Sequence, residues 1–263
     1  MGRIGQVGRV GQLGPAGPDR FDRWVAGLEA RHLADLRFSD VSGALRAVSS
    51  AYVERRVKLA QGTALSGAGK RAAFALFYGP LHYLLVRQIV RAIPASTAAS
   101  RTVVDLGCGT GAAGAAWAAA CPAAPRITGI DKNPWALAEA ARTYREFGFV
   151  SRVIRDDFAT APLPKGPAHL VAAFAVNELR DDMRAALLPR LLERAKRGDR
   201  VLIVEPLARF VAPWWKRWQD AFMAAGGRAD EWRFHADLPP IVAKLDRGAG
   251  LDHREITGRS IWC

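Results

Sequence analysis

From Phe21 to about Leu59, apolar residues return every three or four positions: Trp24, Leu28, Leu33 and Leu36, then Val41, Leu45, Val48 and Tyr52. Positions so spaced share one helix face, so the pattern predicts two amphipathic helices. A third helix is predicted from Ala68 to Ile93, broken or kinked near Gly79-Pro80, because proline has no N–H and its ring crowds the preceding turn. After Ser100 the rhythm changes, and short β-branched runs alternate with longer helical patterns. Strands are predicted at RTVVDLG, RITGID, SRVIRDD, AHLVAAFAV, RVLIVEP and HREITGRSIW. Helices are predicted at GAAGAAWAAA, PWALAEAARTYREFG, DDMRAALLPRLLERAKR, PWWKRWQDAFMAAGG and LPPIVAKLDRGAG, the second opened by Asn133 as N-cap with Pro134 in its first turn. This alternation predicts an α/β fold: a doubly wound, mainly parallel sheet of about six strands, covered on both faces.

The same pattern divides the chain. Residues 1–18 are glycine-rich and too poor in apolar side chains to offset chain entropy, so a disordered leader is expected. Residues 19–100 form a helical N-terminal region ending in the linker IPASTAAS, and 101–263 form the α/β domain. The apolar run RAAFALFYGPLHYLLVRQIV contains Pro80, His82 and Arg87, which suits buried helices better than a membrane span.

Charge adds a partner to this picture. The formal net charge is +13, and +8 of it precedes Ser100. A surplus of this size favours polyanions such as RNA, DNA or an anionic membrane, although arginine-rich codon usage gives the same composition. Cys108, Cys121 and Cys263 are scattered and show no C-x-x-C spacing. They point to neither a zinc site nor a disulfide framework, and a reducing, cytoplasmic setting is expected. The N-terminus lacks the apolar core of a secretory signal.

The densest chemical signal is VVDLGCGTGAAGAAW, residues 103–117. Gly107 lets the chain turn off the first strand, and Gly109 and Gly111 remove side chains where backbone would approach a ligand. The following helix then starts with free N–H groups at the carboxyl edge of the sheet, where ligands of doubly wound folds bind. Residues 109–114 also match the dinucleotide fingerprint G-x-G-x-x-G, with Asp131 22 residues beyond Gly109. The acidic Asp105 speaks against that alternative, since it would repel a pyrophosphate at the loop.

VVDLGCGTG resembles the first motif of the class I S-adenosylmethionine-dependent methyltransferases. The resemblance implies a Rossmann-like methyltransferase fold and S-adenosyl-L-methionine as cofactor. Asp105 and the loop Gly107, Cys108, Gly109 and Gly111 would serve the methionine end. Asp131, with Lys132 beside it, would serve the ribose. Asp157 and the backbone of Phe158 would serve the adenine, with Asp156 as the competing carboxylate. After the fourth strand the chain reads FAVNELRDD, without the N/D-P-P-Y/F motif of amino-methyltransferases acting on adenine or glutamine. Asn177 and Glu178 are the catalytic candidates there, against a loop-capping role for Asn177 and a solvated one for Glu178. His82 and Tyr83 are expected in the core more than in a site. The cluster Trp214, Trp215 and Trp218, with Lys216 and Arg217, reads either as base-stacking surface or, preferably, as a helix burying its aromatics.

The wider layout, with NELR after the fourth strand and VLIVEP at the fifth, is similar to a methyltransferase-like family associated with the small ribosomal subunit. That resemblance implies ribosomal RNA or the small subunit as partner, and the charge surplus before Ser100, with Arg55, Arg56 and Lys58, would offer its phosphates a basic rim. Many members of that family carry a cysteine cluster for an iron–sulfur group, which three scattered cysteines do not supply, and no metal site is expected here. The functional expectation is methyl transfer on or near RNA. A non-catalytic, cofactor-binding assembly factor and a small-molecule methyltransferase are the alternatives. Only one strand follows LPPIVAKLDRGAG, so the closing antiparallel hairpin of the superfamily is expected to be incomplete.

Overall fold

The computed structural model describes residues 19–54, 65–93, 102–207 and 212–263. The leader over 1–18, most of the linker after Ile93 and the basic residues Arg55, Arg56 and Lys58 lie outside the described residues.

Two helices open the described chain, α1 (Arg20–His32) and α2 (Phe38–Glu54). Asp19 starts α1 through a capping box with Asp22. The third predicted helix departs from expectation. It runs as α3 (Ala68–Ala73), a π-helical turn (Phe74–Tyr78) and α4 (Gly79–Ala92) without an interruption. The wider π-turn ends just before Pro80, which falls at the start of the next α-helical run, so the helical run continues without a break.

The α/β part follows: β1 (Thr102–Leu106), α5 (Ala112–Ala120), β2 (Arg126–Asp131), α6 (Pro134–Glu146), β3 (Ser151–Arg155), β4 (His169–Ala173), α7 (Asp181–Lys196), β5 (Arg200–Glu205), α8 (Trp215–Ala224), β6 (Arg228–His235), α9 (Pro240–Gly248) and β7 (Glu255–Trp262). The strands form one sheet in the order β3-β2-β1-β4-β5-β7-β6. β1 to β5 pair in parallel, and β7 runs antiparallel between β5 and β6.

Seven strands replace the expected six, and the closing hairpin is complete. The additional strand is RADEWRFH, whose charged residues hide it from a search for apolar runs. β6 is an edge strand, where charges discourage pairing with other chains. Its Trp232 and Phe234 turn to one side and stack on each other.

Alternation along the strands builds two cores. Val103, Ile127, Val171, Leu202 and Val204 face α1, α4, α5, α6 and α9. Val104, Ile130, Leu170, Ala172, Val201 and Ile203 face α7 and α8. The alanine helix α5 has no polar side, because it lies between the sheet and α4. α1 docks on α6: Trp24 Nε1 donates to Thr143 Oγ1 at 3.1 Å, and Arg31 meets the buried Glu139 at 2.7 Å. The N-terminal helices therefore cover one face of the sheet, and their π-turn reaches the carboxyl end of β1. No described helix is long and apolar enough to cross a membrane.

Candidate active site

Strand order reverses between β1 and β4, so the loops after β1, β2, β3 and β4 converge at one edge of the sheet. The glycine loop occupies that edge. Gly107 and Cys108 donate to Ile130 O at 2.9 and 3.0 Å, and Gly109 N donates to Asp131 Oδ2 at 2.9 Å. These bonds tie the loop to the end of β2.

The glycines divide their tasks differently from the sequence expectation. A Cβ on Gly107 would stand 2.5 Å from Ala175 Cβ, and one on Gly111 2.9 Å from Ala140 Cα. Both serve packing against protein. Gly109, at φ +51°, is the position whose absent Cβ leaves ordinary space, with the Phe74 ring 3.7 Å beyond it. Gly109 is therefore where a ligand can come close to the loop. Cys108 turns its thiol inward toward Gly129 and offers only backbone to the site.

Asp105 lies inside the wall of the site rather than on its surface. It is 1% exposed, and its Oδ2 accepts from Gly114 N at 2.8 Å and Tyr144 Oη at 2.9 Å. It fastens α5 and α6 to the strand from which the glycine loop leaves. Burial raises its carboxyl to about 7, despite the opposing effect of both donors.

Asp131 is half-buried. Its Oδ2 holds Gly109 N, and its Oδ1 holds Asn133 N at 2.8 Å, so it ties the glycine loop to the start of α6 and keeps acceptor capacity on both oxygens. Lys132 crosses to β3 and meets Asp157 Oδ2 at 2.7 Å. Asp157 Oδ1 accepts from Ala159 N, whereas Asp156 Oδ1 accepts from Asp157 N. Phe158 is buried with its ring against Gly107.

The opposite side of the site is built by β4, its following turn and the π-turn above it. Phe174 leaves β4 at φ +58°, a conformation rare for a bulky side chain and found where surroundings enforce it. His82 supplies that enforcement, stacking on Phe174 with ring centroids 4.0 Å apart. Phe74 and Tyr78 pack against the same imidazole. Burial lowers the His82 pKa to about 3, so this aromatic wall is neutral at physiological pH.

The 3-10 turn Val176–Glu178 comes next. Asn177 N donates to Glu205 Oε1 at 3.0 Å, and Trp214 Nε1 donates to Asn177 Oδ1 at 3.0 Å. Asn177 is thus a fixed part of the turn. Glu178 is exposed on this turn, in line with the solvated alternative, although neighbouring protein first, and Asp131 second, raise its carboxyl to about 7. Glu205 is fully buried at the end of β5, and burial lifts it to about 8.

Glu205, Phe174 and Phe74 escaped the sequence reading. A carboxylate closing an apolar strand, as in VLIVEP, was the available signal for Glu205. Nothing in the sequence marks a phenylalanine with positive φ. Tyr83, Trp215 and Trp218 are core residues, as preferred from sequence. A surface cleft of about 390 Å³ lined by Arg20, Tyr83, Arg87 and Arg91 lies at the opposite, amino end of β2 and β3, away from this chemistry.

Residues 103–198 match the sequence profile of a family described as a methyltransferase domain. No curated protein matches the chain. Among solved structures, mitomycin 7-O-methyltransferase MmcR is 16% identical, with a TM-score of 0.51, over 93% of this chain and 73% of that one. YcgJ from Bacillus subtilis is 14% identical, with a TM-score of 0.46, over 69% and 97% of the two chains. N-methyltransferase NodS from Bradyrhizobium japonicum, in complex with S-adenosyl-L-homocysteine, is 16% identical, with a TM-score of 0.46, over 70% and 86%. The matched profile shows a methyltransferase domain over residues 103–198, whose cofactor is S-adenosylmethionine, and the glycine loop tied to the carboxylate at the end of β2 fits that group.

Proposed function

We propose that the methyl acceptor is a planar ring, a nucleobase or an aromatic small molecule, admitted between the π-turn and the turn after β4. The aromatic wall of Phe74, Tyr78, His82 and Phe174 carries this reading. All four rings are only partly buried although they sit deep in the fold, and uncharged π faces favour planar partners. When bound, the cofactor supplies a methyl group on a positively charged sulfur, a reaction that needs alignment and exclusion of water more than covalent assistance. The Gly109 backbone would hold the methionine portion, Asp131 the ribose, and Asp157 with the Phe158 backbone the adenine. Asp105 would keep the loop in shape. The neutral His82 leaves the acceptor side without a cation that would repel the sulfur.

RNA is the acceptor-bearing molecule that the net charge of +13 favours, and the resemblance to the ribosome-associated family points to the small subunit. The described N-terminal arginines lend that reading little. Arg20 donates to Phe147 O, Arg31 pairs with Glu139, Arg46 reaches Gly248 O, Arg71 reaches Leu65 O, and Arg87 lies over Phe21 and Tyr83. They dock helices.

The test is transfer from methyl-labelled S-adenosylmethionine in two arms, total cellular RNA and a low-mass metabolite extract. Ribonuclease-sensitive label, recovered in small-subunit RNA, supports the ribosomal reading. Label in a low-mass aromatic compound supports the small-molecule one. No label in either arm, with S-adenosylhomocysteine still bound, overturns the proposal and leaves a cofactor-binding assembly factor.

A further inference from the structure

Arg190 and Arg194, two arginines drawn out of solvent, spend their donors on the fold. Arg190 donates to Ala159 O and Ala161 O, and Arg194 to Pro164 O, Gly166 O and the Asp199 carboxylate. Arg87 of α4 departs from this pattern. Its side chain is only 20% exposed and lies over the rings of Phe21 and Tyr83. Among the described residues it nevertheless makes no hydrogen bond, and its Nε is buried without a partner. The Asp19 carboxylate stands 3.8 Å from its Nη1, beyond hydrogen-bond reach. A guanidinium carries five N–H donors, and drawing them out of water without partners is costly.

Arg87 has company. Arg20 of α1 and Arg91 of α4 line the same cleft of about 390 Å³, beside Tyr83. Arg20 gives one N–H to Phe147 O, and the exposed Arg91 has no hydrogen-bond or ionic partner among the described residues. All three guanidiniums act on the Tyr83 hydroxyl, which marks where they converge. Burial pushes that phenol up to about 12, so it stays a neutral O–H donor, and it too lacks a hydrogen-bond partner among the described residues. Asp19 is the one carboxylate among the described lining residues, and Asp22 accepts from Asp19 N. The neighbouring stretches of chain bring no acid, since residues 1–18 and 94–101 contain neither Asp nor Glu. Three guanidiniums against one carboxylate leave the cleft a surplus of two positive charges.

We propose that this cleft binds the phosphate group of a phosphorylated small molecule. Guanidiniums meet phosphate oxygens in paired, charge-assisted hydrogen bonds, and a phosphate monoester carries the two negative charges that the lining lacks. The volume falls within the range of about 300–1,000 Å³ usual for small-molecule sites, and the Phe147 and Phe149 rings offer apolar wall to the rest of the ligand. The cleft lies at the amino edge of the sheet, opposite the glycine loop, so its ligand is neither the cofactor nor the methyl acceptor. A group held there would join α1, α4 and α5 to the segment before β3 and stabilise the docking of the N-terminal helices. The inference stands apart from the methyl-transfer reading.

The test is calorimetry and thermal melting of the full chain in a phosphate-free buffer. The probes are inorganic phosphate, ribose 5-phosphate, ribose, and an oligoribonucleotide without terminal phosphates. Ribose 5-phosphate is expected to bind and to raise the melting temperature, and ribose to do neither. Arg91→Ala, at an exposed position, and Arg87→Met, which keeps an apolar stem over the two rings, are each expected to weaken ribose 5-phosphate at least about tenfold. Without ligand, Arg91→Ala is expected to melt with the wild type. Failure of both inorganic phosphate and ribose 5-phosphate to bind at about 10 mM overturns the proposal and leaves the arginines as partners of the α4 and α5 carboxyl ends. An affinity unchanged in both variants overturns it as well. So does competition by S-adenosylhomocysteine, which would place the phosphate at the glycine loop. Tighter binding of the oligoribonucleotide, lost in the same variants, overturns the small molecule and makes the cleft an RNA contact.

Discussion

Tyr144 and Asp105, one on α6 and the other on β1, meet in a buried hydrogen bond of 2.9 Å that no solvent reaches. The Tyr144 hydroxyl and the Gly114 N–H share one carboxylate oxygen, and between them they join two helices to the strand that launches the glycine loop. Tyr144→Phe leaves that oxygen with one donor. The expected loss is about 1–3 kcal/mol of folding stability, read by chemical denaturation. Weaker binding of S-adenosylhomocysteine should accompany it, although Tyr144 is fully buried.

Gly114 and Gly109 should fail in different ways when changed to alanine. At Gly114 the methyl group would lie 2.6 Å from Asp105 Oδ2, so overpacking of about 1–3 kcal/mol is expected as a stability loss. At Gly109 no atom crowds the new methyl, and the positive φ costs about 1–2 kcal/mol. Its larger effect is expected in cofactor affinity, because the methyl fills the approach to the loop. Parallel thermal melts and calorimetry separate the two.

Asp131→Ala should weaken S-adenosylhomocysteine by about 1.5–3 kcal/mol, roughly 10- to 100-fold, through lost charged hydrogen bonds to the ribose and a loosened Gly109. An affinity unchanged within error would place the ribose elsewhere.

Stability should fall as pH rises from 6 to 8.5. Asp105 and Glu205 move from ordinary values of 3.8 and 4.5 to about 7 and about 8 on folding, chiefly through burial. The folded protein therefore holds more protons in this window, and the stabilisation from these two carboxyls drains as pH passes through their folded values. Glu205→Gln should flatten the slope of melting temperature against pH. A slope of opposite sign would refute the protonated, buried state of these groups.

The sequence made the parallel core of this sheet plain, because β1, β2, β4 and β5 are apolar runs between turn signals. It concealed β6, where charges on an edge strand erase the alternation. It also suggested a break at Gly79-Pro80, since a π-turn has no sequence signature to set against proline. At the candidate site, spacing singled out Asp131 and the glycine loop, and the structure joins the two through the Gly109 N–H. The role of Asp105 was only half legible: the motif named the residue, but its partner Tyr144 lies 39 residues away and meets it only through packing. The Phe174 backbone and the His82 stack arise from tertiary contact alone.

The all-apolar α5 also bears on how the protein is made. During synthesis α1 to α4 emerge first, before the sheet they cover exists, and their apolar faces have no partner until α5 and α6 follow. Folding must therefore wait for contacts between distant parts of the chain, which slows it and leaves sticky surface exposed in the interval. The N-terminal helices cannot be cut away as a dispensable module, because their removal would bare an alanine helix that has no side suited to water.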